Sequence, residues 1–455
     1  MTRDITPNGY GRRRIIKGGA ALGAVGLAGC VGTTDDEDGS GGDDGTDGTD
    51  GADDGNGGSG VSEISGWGWD VAARSLQLTA EEYQDERDVA VDIEEFGREA
   101  MKEDLQTRLA SGSGAPDLAM LEMIDGASYI DTGAIHEISD RIEAAGVRDD
   151  FVDGAWDALS ADGGVYALPW DIGPTAVYYR RDVYDEHGLE PDNIETWDDF
   201  MEEGEKLPDD VDMLNLPMND LDGVWRYQFR QLGNDPFTED GAVNIGNDDS
   251  VRIAETIKEL HDRDLAATLD GWSSAWFSAY ADGDVASLPS AAWMEGTLRD
   301  ELPDTHGDWG VFKIPAHEEG GLRASNWGGS SLMIPEQIES DVRDVAWDYI
   351  EFTLATEEMQ LLMYAEYGLF PALETTYDAD TFDEEVDFFG GQEARRVFAD
   401  VAEEMPGYQF SADTPEVSNA INAEFQAMIN EDKAPEEAVQ DAAETVAERT
   451  DRDLA

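Results

Sequence analysis

The chain has 455 residues, 40% of them apolar, which is enough for two folded domains with cores of their own. Its 104 Asp and Glu residues outnumber its 29 Lys and Arg residues, and the formal net charge is -75. Such a charge repels nucleic-acid phosphates and anionic membrane surfaces, so neither is expected as a partner.

Self-repulsion at this charge destabilises a compact chain in dilute buffer. Molar salt screens that repulsion, because its Debye length is only about 3 Å. The composition therefore resembles that of proteins from salt-loving organisms. Most carboxylates are expected to be hydrated surface groups, so a pair of carboxylates alone is weak evidence for a site.

The residues that build most enzyme and metal centres do not occur in the required patterns. Cys30 is the single cysteine, which excludes an intramolecular disulfide and a cysteine-based zinc site. The five histidines show neither HxxxH nor HExxH spacing, and the chain contains no GxxxxGK[ST] or GxSxG motif. We therefore expect no metal, no cofactor and no catalysis.

The first thirty residues have the order of an export signal. Residues 12–14 are three arginines, residues 18–29 form an apolar run, and "LAGC" ends at Cys30. The run is about a dozen residues, whereas a bilayer-spanning helix needs about twenty. The arginines resemble a twin-arginine signal and LAGC resembles a lipobox, so residues 1–29 are predicted to be removed and Cys30 to be lipidated.

Residues 30–61 are predicted to form a tether from that lipid to the folded part. Residues 35–60 contain only Asp, Glu, Gly, Ser, Thr and Asn with a single Ala, so they bury too little apolar area to fold. The location expected is the extracellular face of the cell membrane. "GNGGSG" at residues 55–60 matches GxGxxG formally, but no strand precedes it and no helix follows, so it is not a nucleotide site.

Residues 62–455 alternate short apolar segments with helical patterns. "VAVDIEEF" and "DLAML" predict strands, and residues 98–112 between them predict an amphipathic helix that stops at Gly112. Further strands are predicted in "VYALPWD", "VASLPSAAW", "WGVFKIP" and "SLMIP", and residues 341–368 predict helices with a break near residues 353–356. This alternation predicts an α/β fold.

Six segments of this region occur together in a recognisable order. They are residues 163–189 followed by "TWDDF", "GDVASLPSAAW", "GVFKIP", "NWGGSSLMIP", "AWDYIEFTLATEEMQ" and "YGLFPA". In this order they resemble the extracellular solute-binding proteins of ABC importers, in the branch of the maltose- and multiple-sugar-binding proteins. The resemblance covers residues 62–455 and implies a two-lobed, periplasmic-binding-protein-like α/β fold with hinge strands and a central ligand cleft.

The resemblance also implies how the chain divides and works. Hinges are expected at residues 171–174 and near residues 313–315. Lobe 1 would hold residues 62–171 and 316–375, and lobe 2 would hold residues 172–315 and 376–455. The implied function is capture of a sugar or oligosaccharide by a monomer, and its delivery to permease subunits in the membrane, powered by a separate ATPase subunit.

A sugar site needs flat aromatic faces for C–H patches and charged acceptors for hydroxyls. Strand ends in open α/β sheets face the ligand crevice. Strand ends and family segments supply the candidates Trp67, Trp69, Asp70, Glu122, Asp125, Trp170, Asp171, Asp220, Trp225, Trp293, Glu295, Asn326, Trp327, Tyr367 and Phe370. Trp272 and Trp276 have i, i+4 spacing and are expected to pack together rather than to bind.

Two other functions stay open at this point. The same fold could take glycerol phosphate, a polyamine or a metal chelate. A phosphate would require arginines, which the candidate set lacks, whereas a polyamine would suit its acidic residues. A secreted glycoside hydrolase would need two carboxylates about 5 to 9.5 Å apart, and the order of the segments argues against it.

Overall fold

A computed structural model describes residues 60–238, 240–407 and 409–455. The predicted export signal, Cys30 and all but the end of the predicted tether lie outside the described residues. Among the residues described, none of the helices combines the length and the apolar character that crossing a bilayer requires.

The described residues form eleven strands and sixteen α-helices, which confirms the predicted α/β class. The strands are β1 Glu63–Trp69, β2 Ala90–Phe96, β3 Leu118–Glu122, β4 Ser160–Ala161, β5 Gly164–Val165, β6 Ala167–Arg180, β7 Asp212–Asn215, β8 Ala266–Ala267, β9 Val285–Ala291, β10 Trp309–Lys313 and β11 Asn326–Met333. The helices are α1 Asp70–Arg87, α2 Arg98–Ser111, α3 Met123–Asp131, α4 Ser139–Ala145, α5 Asp153–Asp157, α6 Arg181–His187, α7 Trp197–Gly204, α8 Leu221–Gln231, α9 Asp248–Asp262, α10 Ser274–Asp282, α11 Met294–Glu301, α12 Ser340–Leu354, α13 Glu357–Tyr367, α14 Ala394–Glu404, α15 Thr414–Asn430 and α16 Pro435–Thr450.

Local chemistry ends the helices where the sequence predicts. Gly112 follows α2 with φ 69°, and its N–H donates to the Leu109 carbonyl at 3.1 Å. Glycine adopts this left-handed conformation without a steric penalty, so it caps the helix. The predicted break in residues 341–368 falls at residues 355–356, between α12 and α13.

One mixed sheet connects nine strands in the order β2-β1-β3-β11-β6-β9-β7-β8, with β10 also paired to β6. The long strand β6 pairs antiparallel with β11 along residues 167–174, and with β9 and β10 along residues 175–180. The first predicted hinge, at residues 171–174, therefore lies in the middle of the strand that links the two halves of the sheet.

The buried side chains form two hydrophobic clusters. The first cluster is built around Leu76, Met120 and Tyr349, and the second cluster around Phe200 and Phe425. Each cluster forms the core of its own set of helices and strands. The space between them is where a ligand cleft is expected.

Membership of the two clusters adds detail to the lobe boundaries, which stay a prediction. Side chains of α10, α11 and α14 belong to the first cluster, although these helices fall within the ranges predicted for lobe 2. The reason is contact with β6: the rings of Tyr178 and Phe398 lie 5.5 Å apart. Helices that are distant in sequence thus cover one face of the linking strand.

Candidate functional site

A pocket of about 70 Å³ lies between the two hydrophobic clusters. Leu214 and Tyr227, which line one side, belong to the second cluster. Trp276 and Met294, which line the other side, belong to the first cluster. Any movement of one core relative to the other would therefore open or close this pocket, as hinge closure around a ligand requires.

Six aromatic side chains line the pocket: Trp197, Tyr227, Trp272, Trp276, Trp293 and Trp327. The ring of Trp272 is nearly parallel to those of Trp276 and Trp293, with centroids 6.0 Å away in both cases and interplanar angles of 27° and 18°. The Trp293 Nε1–H donates to the Trp327 carbonyl at 2.9 Å, and the Trp327 ring stacks on Tyr227 at 5.3 Å. The pocket thus offers several flat apolar faces fixed in orientation.

Asp220 brings a carboxylate into this aromatic pocket. Burial and the neighbouring Asp222 raise the pKa of Asp220 to about 7, although Arg226 and Arg98 act in the opposite direction. A carboxyl group with this pKa accepts hydrogen bonds when ionised and also donates one when protonated.

Gly223 allows the Asp220 carboxylate and the Trp327 ring to come close together. A Cβ atom at position 223 would lie 2.5 Å from Trp327 Cζ2 and 2.7 Å from Asp220 Oδ1. Such distances are shorter than non-bonded contacts, so any larger residue would displace one of the two groups. The absence of a side chain at this position shapes the pocket.

A network of ion pairs occupies the end of β3. Arg98 donates to Glu122 Oε2 from Nε at 3.1 Å and from Nη2 at 2.5 Å, and Lys102 Nζ lies 2.7 Å from Asp125 Oδ2. Burial by itself would raise the pKa of Glu122, but Arg98 and Lys102 hold it below its usual value. Burial and the charge of Glu122 raise the pKa of Asp125.

The charged groups of this network interact electrostatically with Arg226 of α8 and with Asp220 of the pocket. Arg226 contributes to the lowered pKa of Glu122, and Arg98 opposes the raised pKa of Asp220. Glu122 and Asp125 do not line the pocket, and both are paired with cations. Within the described residues, no group of three or more His, Cys, Asp or Glu side chains is arranged to hold a metal ion.

Three of the predicted site residues lie in the hydrophobic cores. Trp67 is 7% exposed and its ring contacts Phe96 at 4.8 Å. Trp225 is buried in the second cluster and donates from Nε1 to Ser250 Oγ at 2.9 Å. Phe370 is buried in the first cluster. The structure does not bring these three side chains to the pocket.

Three more of the predicted residues lie where β6 pairs with β11. Asp171 accepts hydrogen bonds from the Ser330 N–H at 2.8 Å and from the Ser330 hydroxyl, and Asn326 Oδ1 accepts from the Gly173 N–H at 2.7 Å. Burial raises the pKa of Asp171 to about 6, because these hydrogen bonds only partly offset the loss of water. Trp170 is buried beside them, and its Nε1–H has no hydrogen-bond partner among the described residues.

The remaining candidates also lie away from the pocket wall. Glu295 is fully buried and forms ion pairs with Arg299 and, at 3.9 Å, with Arg395; burial raises its pKa. Tyr367 ends α13, and its carbonyl lies so close to Gly296 that α11 and α13 pack in contact. Trp69 is half-buried at the end of β1, and Asp70 begins α1 with φ 48°.

The pocket therefore combines predicted and unpredicted residues. Asp220, Trp293 and Trp327 are the predicted candidates that line it, and Tyr227 and Trp272 line it without having been predicted. Trp272 and Trp276 do pack together as their spacing predicted, but Trp272 precedes α10, which begins at Ser274, and it also lines the pocket. The signal was present in the sequence: Ser273 is a favourable N-cap residue, and its side chain accepts from the Trp276 N–H at 3.2 Å.

Comparison with known proteins identifies related sequences over most of the chain. A family profile described as bacterial extracellular solute-binding protein matches residues 79–390. The lactose-binding protein of Rhizobium radiobacter is 30% identical over 381 residues, which cover 81% of this chain and 88% of the relative. The arabinooligosaccharide-binding protein of Halalkalibacterium halodurans is 28% identical over 377 residues, which cover 80% of this chain and 83% of the relative.

Solved structures show the same fold. The ABC transporter associated binding protein from B. animalis subsp. lactis Bl-04, in complex with beta-1,6-galactobiose, is 28% identical and has a TM-score of 0.76, covering 86% of this chain and 98% of that chain. The galacto-N-biose-/lacto-N-biose I-binding protein of Bifidobacterium longum has a TM-score of 0.74 at 20% identity, covering 89% of this chain and 100% of that chain. The predicted two-lobed α/β fold is confirmed, and the chain belongs to the bacterial extracellular solute-binding protein family.

Proposed function

We propose that the protein captures a sugar or short oligosaccharide between two lobes and delivers it to the permease of an ABC transporter. The observation that carries the proposal is the pocket in which Asp220 lies among the rings of Trp272, Trp293 and Trp327. Indole faces suit the C–H patches of a sugar ring, and a carboxylate suits its hydroxyls. The names of the relatives, which refer to lactose and arabinooligosaccharides, support a carbohydrate.

Capture would proceed by closure rather than by chemistry. The pocket of about 70 Å³ is smaller than the roughly 300–1,000 Å³ of typical ligand sites, so a ligand would enter an opened form. Contacts to residues of both hydrophobic clusters would then favour the closed form. The energy for transport would come from a separate ATPase subunit, and the binding protein itself would release its ligand unchanged.

The proposed setting is the outer face of the cell membrane. The family is extracellular by description, which supports export of the chain. Residues 1–29 would be removed after export, Cys30 would carry the lipid, and residues 31–61 would connect it to the folded part. A permease in the same membrane could then receive the loaded protein.

A thermal-shift screen tests the proposed function. The full chain in molar KCl is heated alone and with lactose, beta-1,6-galactobiose, arabinobiose, spermidine or glycerol phosphate. A ligand present at 100 times its Kd stabilises a folded protein by about 2.7 kcal/mol, so a bound sugar should raise the melting temperature clearly. A rise with spermidine or glycerol phosphate alone, or chromatographic detection of monosaccharide released from the disaccharides, would contradict the proposal.

A further inference from the structure

Trp272 is an exposed indole held in a strained conformation. It is 50% exposed, a high fraction for a large apolar side chain in the described part of the chain, and its φ is 66°. A non-glycine residue in the left-handed region costs free energy, and so does apolar surface left in water. Such costs persist where the surrounding structure imposes them, and they concentrate at ligand sites.

Two asparagine side chains fix the loop that carries this indole. Asn215 accepts from the Leu269 N–H at 2.8 Å and donates to the Leu269 carbonyl at 3.2 Å. Asn219 accepts from the Gly271 N–H at 2.7 Å and donates to the Gly271 carbonyl at 3.2 Å. Each side-chain amide therefore binds the backbone N–H and carbonyl of one residue. The residue that Asn219 holds, Gly271, directly precedes Trp272.

The clamped indole continues the aromatic wall of the pocket towards solvent. Its ring is tilted only 18° from that of Trp293, which lines the pocket and is bonded to the Trp327 backbone. Trp293 is half-buried, whereas Trp272 is 50% exposed. Both residues line the pocket, and the Trp272 indole is the one more exposed to solvent.

We infer that Trp272 is a specificity-determining residue that stacks against a second sugar unit, so that the ligand class is an oligosaccharide rather than a monosaccharide. The inference rests on the proposed function, because it assumes that the first unit occupies the pocket. One sugar ring beside Asp220 and Trp293 leaves the exposed half of the Trp272 indole without a contact. A linked second ring covers that exposed part and removes its apolar surface from water.

Calorimetric titration of the full chain tests this assignment. Galactose and beta-1,6-galactobiose form one matched pair of probes, and arabinose and arabinobiose form another. Trp272→Ala should weaken disaccharide binding by about tenfold or more, because a stacked aromatic contact and its buried area are lost. Monosaccharide binding should weaken much less than disaccharide binding, because Trp272 contributes only part of the wall around the first sugar unit. Trp272→Gly should give the same result with a melting temperature no lower than that of Trp272→Ala, since both variants lose the indole contacts but glycine adopts a φ of 66° freely.

Two further variants separate stacking from general effects. Leu322→Ala removes another exposed apolar side chain that does not line the pocket, and it should leave both affinities unchanged. Asn219→Ala frees the Gly271 backbone, so it should weaken disaccharide binding in part, and more than it weakens monosaccharide binding.

The results distinguish failure of the inference from failure of the proposed function. If the unmodified chain binds disaccharides but Trp272→Ala leaves that binding unchanged, or weakens monosaccharide binding equally, the assignment of Trp272 is overturned and sugar capture stands. If the folded, unmodified chain binds no sugar of either pair, the inference and the proposed function are both contradicted.

Discussion

At the scale of single residues, the width of the pocket depends on a position that has no side chain. Gly223 lies in the first turn of α8, where the Trp327 ring and the Asp220 carboxylate approach its Cα. Helix propensity alone would favour alanine here by about 1 kcal/mol. Glycine therefore maintains the geometry of the site at the expense of the helix.

Gly223→Ala should weaken sugar binding by at least about tenfold, because the added methyl group displaces Trp327 or Asp220 from the wall. Titration calorimetry measures the loss. Gly154→Ala is the matched control, since it also changes a glycine within a helix, but there the nearest atom to the added Cβ is 3.8 Å away. Equal affinity of the two variants would show that Gly223 does not shape the site.

Asp171 gives the molecule a pH-dependent stability. Its pKa is raised to about 6 by burial, so the folded chain holds this proton more tightly than the unfolded chain, where the pKa is about 3.9. The stabilising contribution of the bound proton is complete below about pH 4 and is lost as the pH rises through 6. Asparagine keeps an oxygen for the Ser330 donors and cannot ionise.

Asp171→Asn should therefore raise the free energy of unfolding above pH 6 by about 1–3 kcal/mol, with a smaller change near pH 4. Urea unfolding at pH 4.5 and pH 7.5 measures the difference. Asp162→Asn, in an exposed turn with φ 52°, should change stability little at either pH. Destabilisation by Asp171→Asn at pH 7.5 would contradict this role of the buried carboxylate.

Sequence reasoning located individual side chains only where local signals sufficed. Trp293 and Trp327 belong to recognisable family segments, and both line the pocket. Trp225 was among the predicted site residues, but it lies inside α8 and is buried in the second cluster. Tyr227 follows two residues later in the same helix and does reach the pocket. The direction of each side chain depends on how α8 packs, which no local pattern specifies.

At the scale of elements, β6 shows why the sheet could not be predicted completely from the sequence. Its segment contains Pro169, Gly173 and Pro174, which usually end a strand. The strand nevertheless continues for 14 residues, because its pairing with β11 shifts register twice between residues 326 and 331. At such irregularities the regular ladder of hydrogen bonds is interrupted, so prolines, which have no N–H to donate, are tolerated there. By contrast, α2, α12 and α13 follow local caps and breaks and were predicted closely.

The ion pairs at the end of β3 are predicted to stabilise α2 against the strand. Arg98→Met should lower the free energy of unfolding by about 1–3 kcal/mol at pH 7, since Glu122 would keep only Lys102, at 3.8 Å. The pKa of Glu122 is lowered in the folded chain, so its stabilising contribution is lost as the pH falls, and the deficit should shrink below about pH 4.

Urea unfolding at pH 7 and pH 4 measures this deficit. Arg87→Met is the matched control, because Arg87 pairs with Glu86 at 3.1 Å and with Asp348 at 3.4 Å where all three side chains are exposed, and its loss should cost less than about 1 kcal/mol. A deficit of Arg98→Met that stays constant with pH would show that the arginine acts through packing of its aliphatic stem rather than through its charge.

At the scale of the whole molecule, the charge determines the conditions in which the fold is stable. The sequence carries 104 acidic and 29 basic residues, so most carboxylates have no cationic partner. The repulsion between them acts over a Debye length of about 10 Å at 0.1 M salt and only about 3 Å at 1 M. The melting temperature of the full chain should rise by several degrees between these concentrations of KCl.

Differential scanning calorimetry measures this rise. NaCl and KCl should act alike, because screening depends on ionic strength and not on the identity of the cation. A melting temperature that does not change with salt would contradict electrostatic self-repulsion as a limit on stability.

The pocket between the two hydrophobic clusters depends on single residues, on the strand β6 and on the fold of the whole family. Glycine and asparagine residues position its aromatic wall, β6 links the halves of the sheet on either side, and family membership supplies the context of solute capture. Sequence segments predicted the family and the fold. They did not predict which tryptophans converge, because that depends on contacts between elements far apart in the chain.

The central claim is that this aromatic pocket binds a sugar. Its most direct test is calorimetric titration of the full chain and of Trp293→Ala with the sugar that gives the largest thermal shift. We predict one sugar bound per unmodified chain, and binding weakened about tenfold or more in Trp293→Ala, with Trp293→Phe between them. Equal binding by the unmodified chain and a folded Trp293→Ala variant, or no sugar binding by either, would contradict the claim.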